Sequence, residues 1–371
     1  MTDERPKIST RDHRVVRDQL TTWLAGRLRS PSVTDFTVPT TNGMSSETIL
    51  FDAEWTDDNG TLASDRFVLR LPPDPASEPV FPVYDMPRQF NAMRLVADRT
   101  DVAIPPTLWL ETDPGHLGSA FFVMGRVDGV VPPDLMPYTF GDNWFFDAAT
   151  ADQAALQLAS VEVLAKIHSI PASDPGAEFL VIDAPGETAL VRHVNDQRSF
   201  YEWVAADGFR SPLIENAFVW LDEHWPSDEG EIVVSWGDAR IGNMMYRDFR
   251  PVAVLDWEMA GHGPREIDIG WMIFIHRFFQ DLTEQYGMPG MPDFMRTAEV
   301  SAQYATASGT TPKNLHWYIL YAAVRHAIVM SRITRRQILF GEAVMPDNPD
   351  HAFVHHPTLT AMIDGSYWSK L

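Results

Sequence analysis

Three polar residues in the second half of the chain have a spacing that suits phosphoryl transfer. Asp238 is followed five positions later by Asn243, and Asp256 comes thirteen positions after that. This chemistry needs a carboxylate to orient the attacking hydroxyl and oxygen ligands for the Mg²⁺ that neutralises the nucleotide phosphates. The pattern predicts Asp238 as the base, with Asn243 and Asp256 as metal ligands. Considered alone, Asp238 and Asn243 are also ordinary turn residues, because both side chains bond readily to nearby backbone.

The residues on either side of the motif have the pattern of two short β-strands. Residues 231–235 form a β-branched run and residues 251–256 form an apolar run, while the glycine-containing stretch between Asp238 and Asn243 is typical of a loop. If the two strands pair, Asn243 and Asp256 lie close together at the ends of loop and strand. One cation can then contact both side chains.

This segment resembles the catalytic region of the aminoglycoside phosphotransferase and choline kinase-like family, whose pattern is His-Gly-Asp-x-x-x-x-Asn followed by Asp-Trp-Glu. The matching residues are Gly237, Asp238, Asn243, Asp256, Trp257 and Glu258. The run from Arg240 to Asn243 resembles a branch of small-molecule kinase-like proteins associated with acyl-CoA dehydrogenases. The family histidine is replaced by Trp236, which we expect to supply the bulk of the histidine but not its hydrogen bonds.

The resemblance implies an α+β, protein-kinase-like fold with two lobes. Residues 1–125 are expected to form a small antiparallel β-sheet lobe with an N-terminal helix, and residues 126–371 a larger, mostly helical lobe. The apolar positions of the N-terminal helix are Val16, Leu20, Trp23 and Leu24. The resemblance also implies that Asp268 braces the catalytic loop, on a helix whose first turn lies near Pro264.

No lysine stands where a kinase-like site requires one. The lysines of the chain are Lys7, Lys166, Lys313 and Lys370. The family lysine lies on the third strand of the small lobe, where residues 66–71 place Arg70. Arginine is permanently charged and its planar fork can bind phosphate, so Arg70 is predicted to grip the nucleotide phosphates, with a solvated arginine at a sheet edge as the alternative. Gln89 replaces the partner glutamate of the family and can hydrogen-bond Arg70 without neutralising it.

Two further segments are predicted to contact the nucleotide. Residues 40–47 form a turn of small residues whose backbone amides can cover phosphates, and its candidate contacts are Gly43, Ser45 and Ser46. The strand at 119–126 resembles the interlobe hinge of the family, whose backbone reads adenine, and this implicates Met124 and Arg126. An ordinary buried strand has the same pattern.

The rest of the chain is predicted to be mostly helical. Apolar residues recur at helical spacing over 151–169, where His168 is interpreted as a packing or capping residue. Helices are also expected at 294–307 and 315–340, and the second carries arginines interpreted as a solvated face: Arg325, Arg332, Arg335 and Arg336. Aromatic and acidic residues at 140–147 suit either an acceptor pocket for amines or sugars or a segment packed on the core.

A histidine cluster near the end of the chain invites comparison with a metal site. It consists of His351, His355 and His356. We reject that interpretation because nearby prolines break the helix that such spacing would need; these are Pro346, Pro349 and Pro357.

Composition restricts the function further. The absence of cysteine excludes disulfides, thiolate catalysis and cysteine zinc sites, and a net charge of −22 argues against nucleic-acid binding. The acidity favours a cationic acceptor such as an amino sugar or a choline-like amine, although scattered acidic residues also serve solubility. No apolar signal segment or membrane-spanning run occurs, so a soluble, cytoplasmic protein is expected.

Together these features predict an ATP- and Mg²⁺-dependent kinase that acts on a hydroxyl of a small molecule. Asp238 accepts the hydroxyl proton, and Arg240, two positions later, contacts the transferring phosphate. A nucleotide-binding pseudokinase or regulatory module is the alternative, since Trp236, Arg70 and Gln89 all depart from the family. A metal-dependent hydrolase lacks the further histidines or acids that such sites gather. The identity of the acceptor stays open.

Overall fold

The computed structural model describes residues 11–39, 45–206 and 208–371, and its elements follow in chain order. The strands are β1 Arg29–Thr37, β2 Glu47–Thr56, β3 Leu62–Leu71, β4 Thr107–Glu111, β5 Phe121–Gly125, β6 Ile232–Ser235, β7 Met244–Arg247, β8 Arg250–Val254 and β9 Gly261–Pro264. The helices are α1 His13–Leu24, α2 Met86–Arg99, α3 Thr150–Ile167, α4 Ala189–Val204, α5 Pro212–Glu223, α6 Glu266–Gln285, α7 Thr297–Ser308, α8 Leu315–Leu339 and α9 His356–Ile363.

The N-terminal part is built on a five-stranded antiparallel sheet in the order β1-β2-β3-β5-β4. Alternation along β3 divides its side chains between two faces. Phe67 and Leu69 pack toward α1, whose four predicted apolar positions are all buried. Val68 and Arg70 point to the other face, where the sheet meets the rest of the chain. The α+β, protein-kinase-like fold class is confirmed.

Helices dominate from α3 onward, as predicted. The long helices α6 and α8 pack against each other at the centre of the larger core, and almost every residue of α6 from Glu266 to Asp281 is buried. Aromatic side chains of the 140–147 segment join this core, with Phe145 fully buried against Phe294. Within the described ranges, none of the helices is both long enough and apolar enough to cross a membrane.

The pairing of strands around the catalytic motif differs from the expectation. The strand at 231–235 does not pair with the one at 251–256: β6 pairs with β9, and β8 pairs with β7. The four-residue strand β7 was missed because its sequence, Met-Met-Tyr-Arg, is too short for an alternating pattern to stand out. Pro264 is the last residue of β9, and α6 begins two residues later at Glu266, so the helix starts near Pro264 as predicted.

Candidate active site

The β7–β8 hairpin brings the two predicted metal ligands together. Asn243 immediately precedes β7 and Asp256 follows β8, and the register pairs Met244 with Val254. The Leu255 amide donates to the Asn243 carbonyl at 2.8 Å, which ties the two ligand-bearing segments side by side. Asp256 has a left-handed backbone, with φ of 58°, a conformation that aspartate tolerates better than most residues. A local hairpin therefore achieves the proximity that had been expected from pairing of the two flanking strands.

The Asp238 carboxylate is held by three donors. Trp271 on α6 donates its indole N–H to Oδ1 at 2.7 Å, the Asn243 amide donates to Oδ2 at 2.7 Å, and Nε of Arg240 lies 3.1 and 3.2 Å from the two oxygens. These contacts fix the orientation of the carboxylate, as a base must be fixed to meet one hydroxyl. Asn243 uses its amide N–H for this contact, so its side-chain oxygen stays available as a ligand.

Arg240 lies between two carboxylates. Its guanidinium also pairs with Asp134, which precedes the aromatic segment and had no signal in the sequence beyond a Pro-Pro-Asp turn. Burial disfavours the charge on Arg240, but Asp134 and Asp238 together raise its pKa. Arg240 is therefore a fixed cation next to the predicted base, and contact with a transferring phosphate stays a prediction.

Asp268 braces the loop that leads into Asp238, as expected. Its buried carboxylate accepts hydrogen bonds from the backbone N–H of Trp236 at 2.7 Å and of Gly237 at 2.9 Å, and from the Ser235 hydroxyl at 2.7 Å. Nε2 of His168 lies 3.0 Å from the same Asp268 carboxylate, which agrees with a packing role for this histidine. Burial opposes ionisation, yet these bonds, led by that from His168, leave the pKa of Asp268 lowered.

Gly237 is required at its position for a steric reason. Its φ is 91°, and a Cβ there would lie 2.1 Å from the carbonyl oxygen of Met259. Only glycine tolerates both the left-handed backbone and this close approach. The turn at Gly237 places its N–H on Asp268, while the Asp238 carboxylate meets Trp271, three residues further along α6.

Trp236 does supply hydrogen bonds, contrary to the expectation that it would replace only bulk. Its indole N–H lies 2.9 Å from the Leu255 carbonyl and 3.1 Å from the Asp256 carbonyl. The fully buried ring also packs against Trp257. Trp236 therefore links the loop that carries Asp238 to the segment that carries Asp256.

Replacing Trp236 with phenylalanine should lower the free energy of unfolding by about 1–2 kcal/mol, because the ring is largely kept but the carbonyls of Leu255 and Asp256 lose their shared donor. Urea unfolding followed by circular dichroism measures the change. Trp203→Phe is the matched control, because Trp203 lies at the surface with 36% of its area exposed. A loss no larger than that of the control would contradict the linking role.

Arg70 does not depend on Gln89 for a partner. One guanidinium nitrogen donates to the Thr48 hydroxyl at 2.7 Å and another to Asp256 at 3.1 Å. The Nε2 of Gln89 is buried without a hydrogen bond among the described residues, although Gln89 lines the same cavity as Arg70. The expected amide–guanidinium contact is thus wrong, because the opposite carboxylate, Asp256, competes more strongly for the cation. Because Arg70 is buried and paired with Asp256, the alternative of a solvated arginine at a sheet edge is excluded.

The predicted nucleotide loop is anchored at its C-terminal end. Ser45 and Ser46 are buried, and their hydroxyls donate to the two carboxylate oxygens of Glu258, the second at 2.9 Å. Burial, with the nearby charge of Asp256, raises the pKa of Glu258 to about 8. Gly43 lies outside the described residues. The two serines thus connect the start of β2 to the Asp256-Trp257-Glu258 segment.

A cavity of about 370 Å³ lies between the five-stranded sheet and the β7–β8 hairpin. Its size falls in the range of small-molecule pockets. Among its lining residues are Arg70, Met124, Arg126, Arg240, Asn243 and Asp256. Six of the predicted site residues therefore meet around one space, whereas Asp238 lies beside it, outside the lining.

Asn243 and Asp256 can supply part of the ligand set that Mg²⁺ requires. Carboxylate and amide oxygens are its preferred ligands, and Mg²⁺ in nucleotide sites commonly takes one or two protein ligands and completes its shell with phosphates and water. Burial raises the pKa of Asp256, with Asp238 acting in the same direction and Arg70 opposing it, so a cation here would offset desolvation. Within the described ranges, no group of three or more His, Cys, Asp or Glu residues is placed to hold a metal ion.

Besides Asp134, the sequence analysis missed two further site residues. Trp271 looks like a core aromatic of α6, yet it bonds Asp238. Arg325 was assigned to a solvated face but is 1% exposed, stacks on Trp271 at 4.6 Å and donates to the Gly237 carbonyl at 3.1 Å. Arg336 is likewise buried, so the solvated-face interpretation is wrong for both arginines. Long helices in the middle of a core bury every face, which helical periodicity alone does not reveal.

The sequence profile of the phosphotransferase enzyme family matches residues 48–307, more than two thirds of the chain. The chain belongs to this family. The matched region includes Arg70, the catalytic loop, the β7–β8 hairpin and Asp268.

Solved structures with the same fold include aminoglycoside and macrolide phosphotransferases. A candidate aminoglycoside phosphotransferase from Ralstonia eutropha is 20% identical and has a TM-score of 0.64. The match covers 95% of this chain and 98% of that chain. Macrolide 2'-phosphotransferase MphH from Brachybacterium faecium is 16% identical with a TM-score of 0.51, covering 94% of this chain and 98% of its own. A complex of aminoglycoside phosphotransferase APH(4)-Ia with ADP and hygromycin B has a TM-score of 0.55 at 16% identity, with 94% of this chain and 98% of that chain covered.

Curated relatives are named for a different enzyme class. IBR3 of Arabidopsis thaliana, named as a probable acyl-CoA dehydrogenase, is 23% identical over 74% of this chain and 34% of its own length. Acyl-CoA dehydrogenase family member 11 of Homo sapiens is 25% identical over 53% of this chain and 24% of its own length. The chain spans between 24% and 34% of the length of these relatives.

Proposed function

We propose that the chain transfers the γ-phosphoryl group of ATP to a hydroxyl of a small molecule. The observation that carries the proposal is the Asp238 carboxylate, fixed by Trp271, Asn243 and Arg240 next to a cavity that Asn243 and Asp256 line together. Residues up to 125 would cover the nucleotide and residues 126–371 would hold the acceptor. A solved aminoglycoside phosphotransferase of the same fold forms a complex with ADP, which supports nucleotide binding.

In this mechanism each residue has one task. Asp238 orients the acceptor hydroxyl and accepts its proton as the new oxygen–phosphorus bond forms and the bond to ADP breaks. Arg70 and Arg240 both line the cavity, and as fixed cations they would stabilise the upstream and the transferring phosphates respectively. Asn243 and Asp256 would hold Mg²⁺, which when bound neutralises phosphate charge. Met124 and Arg126 border the nucleoside end.

The acceptor class is suggested by charge and by the relatives. A net charge of −22 favours cationic acceptors such as amino sugars or choline-like amines. Similarity to part of proteins named as acyl-CoA dehydrogenases directs attention equally to hydroxyacyl compounds. All three classes carry a hydroxyl that Asp238 can orient.

The test is ADP release by the purified chain with ATP and Mg²⁺ across a panel of amino sugars, choline-like amines and hydroxyacyl compounds. We expect release that requires both an acceptor and the divalent cation, and that stops on chelation with EDTA. Nucleotide binding without turnover across the panel would favour a regulatory module instead. Absence of nucleotide binding, measured by calorimetry, would overturn the assignment of the cavity.

A further inference from the structure

Two histidines pack among aromatic rings on the α6 side of Asp238. His326 on α8 and His355, just before α9, have ring centroids 4.9 Å apart. Both contact Phe274 and Phe278 of α6, at centroid distances between 4.8 and 5.5 Å. We refer to His326 and His355 as the histidine relay. Neither residue has a part in the phosphoryl-transfer mechanism described above.

The hydrogen bonds of the relay determine where its protons lie. Nε2 of His355 lies 3.0 Å from the Ala323 carbonyl, which can only accept, so this nitrogen carries the proton. The Nδ1 of neutral His355 is then an acceptor. It lies 3.4 Å from Nδ1 of His326, which must donate to it. The remaining nitrogen of His326, Nε2, is therefore left unprotonated, with its lone pair available.

That lone pair has no partner within the described part of the chain. His326 is half-buried, while His355 is 2% exposed, and no side chain or backbone group of the described residues bonds Nε2 of His326. Burial lowers the pKa of His326, and His355 and Arg240 act in the same direction. Burial also lowers the pKa of His355 to about 4, so both rings are neutral near pH 7.

Trp271 contacts both Asp238 and His326. Its indole N–H donates to Asp238 at 2.7 Å, and its ring meets the His326 ring edge-to-face at 6.1 Å. Arg240, the other neighbour of Asp238, is close enough for its charge to act on His326. His326, which is partly exposed, is thus separated from Asp238 by a single side chain, that of Trp271.

We propose that His326 is a specificity-determining residue, whose Nε2 accepts a hydrogen bond from a second hydroxyl or N–H group of the acceptor molecule. This inference rests on the proposed function. It selects polyols, amino alcohols and hydroxyamides over compounds with a single hydroxyl, because only the former supply a donor to the lone pair. An anionic group is disfavoured at the same place, since it would face the lone pair without a proton to share.

The tautomer can be tested without any substrate. Nitrogen NMR of protein labelled at histidine distinguishes the Nδ1–H form from the Nε2–H form. We expect His326 to be neutral with its proton on Nδ1 near neutral pH, and to lose this preference in the His355→Phe variant. A proton on Nε2 of His326 in the unaltered protein would overturn the inference and leave the proposed function intact.

The specificity role is tested by kinetics on His326→Phe, with His326→Gln and His326→Asn as matched variants. His326→Gln places an amide oxygen near the position of Nε2, whereas His326→Asn keeps a donor near Nδ1 for His355 but has no outer acceptor. Each panel compound that supports ADP release is paired with its analogue lacking one hydroxyl or amino group. His326→Phe should lower kcat/KM about 10-fold for the compound with the second donor, mainly through KM, and leave the analogue little changed.

The outcomes separate the two proposals. Rescue by glutamine and not by asparagine supports the acceptor role, and His351→Phe, at an exposed histidine of the same region, should change neither constant. Rescue by asparagine alone, or equal losses for compound and analogue, shows a structural role and overturns the inference while phosphoryl transfer stands. Unaltered protein that binds nucleotide but releases no ADP with any acceptor overturns both.

Discussion

Replacing Asp238 with asparagine is expected to lower kcat by about 10²- to 10⁴-fold, the usual contribution of a positioned general base. The amide cannot accept the hydroxyl proton. In addition, the N–H₂ group of the new amide would face Trp271 or Asn243, which are both donors to the Asp238 carboxylate, so one of these hydrogen bonds would be lost. Nucleotide affinity should change little, because Asp238 is not among the residues that line the cavity.

Steady-state ADP release and nucleotide calorimetry measure the two quantities separately. Asp222→Asn is the matched control, since Asp222 is an exposed carboxylate of the same part of the chain that pairs with Arg198 at 2.8 Å. Turnover of the Asp238 variant equal to that of the control would remove Asp238 from the mechanism. A large loss of nucleotide affinity would instead assign it to binding.

The Asp268→Ala variant should lose about 3–5 kcal/mol of unfolding free energy, the usual result when one partner of a buried charged network is removed. Asp268 is fully buried, and its carboxylate is the acceptor for two backbone N–H groups, the Ser235 hydroxyl and His168. Alanine leaves all four groups without a partner in the core, and each such group costs about 1–3 kcal/mol.

Equilibrium unfolding in urea, followed by tryptophan fluorescence, measures this loss. Asp293→Ala serves as the control, because the Asp293 side chain is 89% exposed beside Arg296 and should change stability by less than about 0.5 kcal/mol. Turnover should fall as well, since Gly237 and the adjoining Asp238 lose their support. A variant as stable as the control would show that the loop is held by other contacts, such as the bond from Arg325 to Gly237.

Much of the architecture could be predicted because it depends on local periodicity. The apolar spacing of α1 and the alternation of β3 follow directly from the order of residue types. The same alternation places Arg70 on the cavity face and its neighbours in the core. The family assignment was also within reach, because the residues around Asp238 retain their type and spacing; their catalytic roles stay predictions.

Errors arose where distant segments decide the contacts. Pairing of β6 with β9 depends on residues 261–264, which have no strand pattern, since two of the four are glycine. Gln89 follows the family position for a partner of Arg70, but Asp256 approaches from another part of the chain and forms the ion pair. Such competition between partners has no local trace in the sequence.

The sequence by itself determined the chemical groups of the site, their order and the regular elements that carry them, because these follow from residue type and from spacing along the backbone. Only the tertiary structure decided which neighbours control those groups: Trp271 on Asp238, the Trp236 indole on the carbonyls of Leu255 and Asp256, and the buried Arg325 beneath Gly237. The reason is physical. Burial, hydrogen-bond competition and charge pairing depend on distances between segments that the chain brings together only when it folds.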